Sequence, residues 1–149
     1  MRAVVQRVSS ASVHVGDQLA GQIGEGLMVL LGVETGDSVQ DARYLGDKIA
    51  KLRIFSDDQG KMNLSVSQVG GQVLMISQFT LLGDARGQNR PGFTGAEEPQ
   101  RANALFEECC EQIAGHGIQV ARGVFRAHMQ VSLVNDGPVT ILLDSRKQF

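Results

Sequence analysis

Cysteine is scarce in this chain of 149 residues: Cys109 and Cys110 are its only two. Adjacent side chains diverge on a helix, so the pair cannot readily bridge, and both are expected as reduced residues in or near the core. Histidine is equally thin. His14, His116 and His128 are scattered and none sits at ligand spacing, which speaks against a zinc or iron site. No apolar run is long enough for a signal peptide or a membrane helix, so a cytoplasmic protein with no membrane association is expected. Positive charge is not in excess either, the formal net charge being -2. A protein that coats nucleic acid mainly through its phosphates usually carries a clear positive surplus. Against this stands the makeup of the basic set, ten Arg to four Lys. A guanidinium fork makes bidentate phosphate contacts, so a few placed arginines would suffice for a local patch.

What is present is ordinary globular composition, 42% hydrophobic and 20% charged, enough to bury a core without disulfides or metal. The length and the lack of a linker imply one domain over residues 1–149. Ala3–Val8 reads as a strand, followed by a hairpin of Ser12–Val15 and Leu19–Ile23 about a Gly16-Asp17 turn. Leu27–Val33 is a continuous apolar run, too short for most helices and suited to a strand buried on both faces. Ser38-Val39-Gln40-Asp41 has the form of a capping box, and Ala42, Leu45 and Ile49 follow at helical spacing. Asp57-Asp58-Gln59-Gly60 predicts a hairpin turn between Leu52–Phe55 and Ser65-Val66. Val73–Thr80 predicts another apolar strand with a polar end.

Gly83–Pro99 holds four Gly and two Pro and is the longest candidate loop, a length often associated with function. Pro99 suits the first turn of a second helix, whose apolar stripe is Ala102, Leu105, Phe106, Cys109 and Ile113. Ala127, Met129, Val131 and Leu133 alternate with polar residues, predicting a half-buried strand. An Asn135-Asp136-Gly137-Pro138 turn then leads into a last strand, Val139–Leu143. The expected fold is therefore α+β: a curved, barrel-like, mostly antiparallel sheet with two main helices.

Two segments carry the functional reading, Ser77-Gln78-Phe79-Thr80-Leu81 and Asn135-Asp136-Gly137-Pro138-Val139-Thr140. Taken singly, the first is a buried strand end whose hydroxyls bond to backbone, and the second is a plain turn. Together and in this order they resemble the signature motifs of the D-aminoacyl-tRNA deacylase family. The likeness extends from Met1–Val8 through Asn89-Arg90-Pro91-Gly92-Phe93 and over essentially the whole chain. The resemblance implies a hydrolase that cleaves the ester of D-aminoacyl-tRNA, and of glycyl-tRNA where tRNA-Ala has been mischarged, without a cofactor. It also implies a homodimer with active sites at the subunit interface, in which a cis Gly137-Pro138 turn of one subunit enters the site of the other. There, main-chain atoms pressed against the substrate Cα would exclude any L side chain and could not reject glycine.

On the same resemblance, Ser77, Gln78 and Thr80 surround the scissile ester, with Thr80 the candidate nucleophile. A threonine hydroxyl needs a base, and no His or carboxylate adjoins Thr80 in sequence. The favoured alternative has the 2'-hydroxyl of the terminal adenosine assist water, with backbone N–H groups holding the oxyanion. Phe79 serves either the core or a wall of the adenosine pocket. Met129 is read as core, with pocket lining the lesser reading. Asn135 and Asp136 shape the turn and Arg7 holds it. Arg86 and Arg90 are the candidates for phosphate contact, with solvated surface charge the alternative. Many relatives carry a denser basic run where this chain has Gly87-Gln88-Asn89, which bears on the strength of tRNA binding. Two rivals remain: a non-catalytic tRNA-binding module, and an editing relative directed at L-alanine.

Overall fold

A computed structural model describes residues 1–149. In chain order it forms β1 (Arg2–Val15), β2 (Gln18–Ile23), β3 (Gly26–Gly32), α1 (Val39–Lys51), β4 (Phe55–Ser56), β5 (Met62–Leu64), β6 (Gln72–Ser77), a 3-10 turn (Phe79–Leu82), α2 (Pro99–Ala114), β7 (Val120–Arg122) and β8 (Gln130–Asp144). This is the expected α+β class, with a nearly closed, barrel-like sheet and two helices. The sheet is mixed: β1 pairs antiparallel with β2, β3 and β8, whereas β3, β6 and β7 run parallel to one another.

The apolar runs explain the layering. In β3, Leu27, Val29 and Leu31 face the larger core, which contains Ala42, Leu45 and Ile49 of α1 and Leu105, Phe106 and Cys109 of α2. Met28 faces a second cluster with Val8, Val13, Leu74 and Ile76. β6 divides in the same way, Val73 and Met75 to the helices and Leu74 and Ile76 to the second cluster. Both strands are thus buried on two faces, as continuous apolar strands should be. Gly21 on β2 marks where the sheet curls onto itself, since a Cβ there would stand 3.0 Å from the carbonyl oxygen of Arg122, the last residue of β7. A side chain at that point would push the two edges apart.

The helix starts follow the sequence closely. The Ser38 N–H donates to Asp41 Oδ2 at 2.8 Å, the reciprocal half of the capping box. Pro99 opens α2, and Glu98 accepts from the N–H groups of Gln100 and Arg101. The strands depart from expectation in four places. Arg2–Val15 is one strand, because β8 runs alongside nearly its whole length and bridges the local irregularities. The hairpin about Asp57–Gly60 forms, but β5 is Met62–Leu64 and Ser65-Val66 lie in the turn after it. β6 stops at Ser77, where the chain tightens into the 3-10 turn, so Phe79 and Thr80 are not strand residues. β8 begins at Gln130, leaving Ala127–Met129 irregular.

The Asn135–Pro138 segment differs most from its reading as a turn. The chain does not reverse there: Gln130–Asn135 and Thr140–Asp144 pair with the same strand, β1, in the same sense. Val8 pairs with Asn135 and Gln6 with Thr140, so Arg7 alone faces the four residues 136–139. The segment is an excursion bulging from one long strand.

Candidate active site

The end of β6 brings the first motif to an open surface. Gln78 is still extended, its N–H donating to the Leu31 carbonyl at 2.8 Å, and the 3-10 turn then carries Phe79 and Thr80 outward while burying Leu82. A cleft of about 760 Å³ opens here. One wall is Ser77, Gln78, Phe79 and Thr80; a second is Ala96, Glu97, Pro99 and Ala102 at the start of α2; the third is Phe125–Met129 with Val131.

Five of the expected site residues therefore share one cavity: Ser77, Gln78, Phe79, Thr80 and Met129. The Gln78 Nε2 amide donates to Thr80 Oγ1 at 2.9 Å. An amide is not a base, and an N–H donor on that oxygen draws electron density from it, so this contact does not prepare Thr80 as a nucleophile. Phe79 is 58% exposed and meets Phe93 edge-on, with ring centroids 5.1 Å apart. Phe79 is thus a wall residue of the cleft held by an aromatic neighbour, and does not belong to the core. Met129 combines both of its readings, packing against the second cluster while lining the cleft.

Arg126, His128 and Glu97 escaped the sequence reading. His128 falls on the polar side of the alternating pattern, whose strand starts only at Gln130, while Arg126 precedes that pattern and Glu97 precedes the N-cap of α2. Gly123, interrupting the pattern just after β7, was the available signal. Glu97 is engaged, accepting from the N–H groups of Gly36 (3.4 Å) and Glu98 (2.9 Å) and standing 3.6 Å from Arg101 Nε. No three His, Cys, Asp or Glu side chains converge to hold a metal ion.

The remaining expected residues lie outside the cleft. Arg86 and Arg90 sit in the 84–92 loop, closed by reciprocal hydrogen bonds between the backbones of Asp84 and Gly92. Arg86 grips Asp84 with Nε at 2.9 Å and an Nη at 2.7 Å, and this holds the Asp84 carboxyl well below the usual range. The pair is exposed to solvent, so Arg86 is engaged by Asp84 but not buried with it.

Gly137 and Pro138 are exposed on the β8 excursion, and the peptide between them is cis. Arg7 clamps this excursion from β1, donating from Nε to the Asp136 carbonyl at 3.0 Å and from an Nη to the Ile54 carbonyl at 2.7 Å. Asn135 closes its base: Oδ1 accepts from the Val139 N–H at 3.0 Å and Nδ2 donates to Thr140 Oγ1 at 3.1 Å. The second motif is thus a braced, outward-facing main-chain projection, separate within one chain from the cleft that carries the first.

A family model described as D-Tyr-tRNA(Tyr) deacylase matches residues 4–144. The chain belongs to this deacylase family. A D-aminoacyl-tRNA deacylase of Anaeromyxobacter dehalogenans (strain 2CP-C) is 63% identical over 149 residues, the whole of both chains. One of Desulforamulus reducens is 56% identical, again over the whole of both. Among solved structures, one described as c-Myc DNA Unwinding Element Binding Protein is 38% identical with a TM-score of 0.90, covering 97% of this chain and 98% of that one. A probable eukaryotic D-amino acid tRNA deacylase shares the fold, with a TM-score of 0.79 at 16% identity over 95% and 97% of the two chains. The two segments singled out in the sequence thus fall on two distinct structural features, a cleft and a braced projection. No helix of this family member is long and apolar enough to cross a membrane.

Proposed function

We propose that the protein, acting as one domain in the cytoplasm, hydrolyses the ester of D-aminoacyl-tRNA and of glycyl-tRNA mischarged on tRNA-Ala. Water adds to the ester carbonyl, the bond to the terminal ribose breaks, and the products are the free amino acid and tRNA. The observation that carries this reading is the cleft in which Ser77, Gln78, Phe79, Thr80 and Met129 converge in a chain that belongs to the deacylase family.

An aminoacyl ester is already activated, so positioning and charge stabilisation account for most of the chemistry. The N–H groups of Phe79 and Thr80 open the 3-10 turn without a partner inside it and are the donors proposed for the oxyanion. With only an amide on Thr80 Oγ1, the attacking water is assisted by the substrate's own 2'-hydroxyl. Phe79 offers a face to the terminal adenine.

Selectivity comes from a second copy of the chain, its Gly137-Pro138 main chain entering this cleft and filling the volume an L side chain would need. Exposed Val134 and Leu142, flanking the excursion on β8 at 57% each, supply apolar surface for that copy. Glycine passes the gauge because it has no side chain on either side.

The test is amino-acid release from D-tyrosyl-, L-tyrosyl-, glycyl- and L-alanyl-tRNA by purified, chelator-treated protein. Loss of the D and glycyl esters with the L esters spared is expected. Preferential loss of the L-alanyl ester would shift the reading to an L-alanine-directed editor, and binding without turnover of any ester to a non-catalytic module.

A further inference from the structure

The cleft mouth carries a cation that no other group in the protein uses. Arg126 and Arg90 are the arginines that make neither a hydrogen bond nor an ion pair to the protein, whereas Arg86 is committed to Asp84. Of these two free arginines only Arg126 lines the cleft, and it is the sole Lys or Arg to do so. Its neighbours Phe125, Met129 and Val131 are half-buried in the wall, while Arg126 and His128 are exposed, which puts both at the opening. Arg126 also holds a backbone conformation foreign to its side chain, with φ at 66°, in a turn closed by the Ala127 N–H on the Val124 carbonyl at 3.1 Å. Non-glycine residues adopt this region rarely, and such outliers gather at ligand sites.

We infer that Arg126 is a binding residue for the phosphodiester that enters the cleft with the terminal nucleoside, with His128 beside it as a second donor. The inference rests on the proposed reading of the cleft as the seat of a tRNA 3' end. If the terminal adenosine lies inside, its 5'-phosphate must lie at the mouth, because the polynucleotide continues outward from there. A guanidinium fork suits two phosphate oxygens, and an unpaired one needs to break no internal contact to bind them. This places the phosphate contact on a residue of the cleft itself, rather than on the loop arginine Arg86, which lies outside the cleft and is paired with Asp84. It also shows how a chain of net charge -2 can hold a nucleic-acid end through one placed cation.

The experiment compares binding of a CCA trinucleotide, free adenosine and inorganic phosphate to wild type, R126G and R126K by NMR titration. Glycine is the cleaner replacement because it accepts the positive φ. R126G is expected to weaken the trinucleotide about tenfold, to leave adenosine unchanged, and to flatten the salt dependence of trinucleotide binding by roughly one phosphate's worth. R126K should recover part of the loss. Phosphate alone should displace the trinucleotide poorly; displacement at equal concentration would mark a general anion site and overturn the assignment. Equal weakening of adenosine and trinucleotide would assign Arg126 to cleft shape, and no change in either would remove it from the site. Failure of wild type to hydrolyse any ester would count against the deacylase reading, while these binding results would still judge Arg126.

Discussion

Replacing Arg7 by alanine tests whether the brace of the β8 excursion is distinct from the chemistry of the cleft. The Arg7 side chain is 12% exposed and its guanidinium donates to two carbonyls, Asp136 at 3.0 Å and Ile54 at 2.7 Å. Hydrogen bonds from a charged group contribute roughly 1.5–3 kcal/mol each. The Asp136 carbonyl can rehydrate on the exposed excursion, whereas the partly buried Ile54 carbonyl recovers less. The combined loss is therefore put at about 2–4 kcal/mol, near the lower end of two such bonds. For a chain of this size each kcal/mol corresponds to about 2–4 °C, so scanning calorimetry should show Tm falling by roughly 5–15 °C. At a temperature where the variant remains folded, the ratio of D-tyrosyl- to L-tyrosyl-tRNA hydrolysis should also fall, because 137–138 would no longer be held. Arg7→Lys should rescue little, since an ammonium is a point charge and does not span both carbonyls. A Tm within about 2 °C of wild type together with an unchanged D-to-L ratio would refute the bracing role.

Thr80→Ala should lower kcat by about tenfold, the worth of one polar contact, and not abolish turnover; single-turnover kinetics that show complete loss with an intact fold would restore Thr80 as the nucleophile. Asp37 is buried at 1% exposure, with its carboxylate 2.7 Å from the Met1 amine and 3.0 Å from Arg146. Asp37→Ala should cost about 3–5 kcal/mol in urea unfolding, as breaking a buried ion pair generally does; a loss below about 1 kcal/mol would mean the cations find water instead. Burial pushes the Cys110 thiol up to about 12 and raises the buried Cys109 thiol as well. Neither should react with a thiol reagent at pH 8 in the native protein, and both should react in denaturant; fast native labelling would contradict the packing of α2.

The parts of the fold written locally were legible. Leu27–Leu31 and Val73–Ile76 are apolar at every position, and only a doubly covered strand accommodates that. Ser38 with Asp41, and Pro99, fix their helix starts through atoms two or three residues away. What depends on distant pairing was not legible. Nothing near Asn135–Pro138 says that the residues on either side will pair with the same partner, β1, so a sequence rich in turn formers reads as a reversal. The site divides likewise. Ser77–Thr80 could be marked by resemblance, but Glu97 and Arg126 come beside them only once α2 and the segment after β7 have packed.

Under the proposed function, the absence of Gly137 and Pro138 from the lining of their own chain's cleft has a consequence for fidelity. A gauge carried on one surface and a reacting cavity on another cannot act on each other inside a single copy. Under the proposed arrangement discrimination belongs to the assembled pair, and it would be subject to mass action. Dilution below the dissociation constant would yield a chain that keeps the groups around the ester and loses its sense of handedness. For an editor working amid a large excess of correctly charged L esters, such a monomer would be a hazard, which favours a tight association over a transient one.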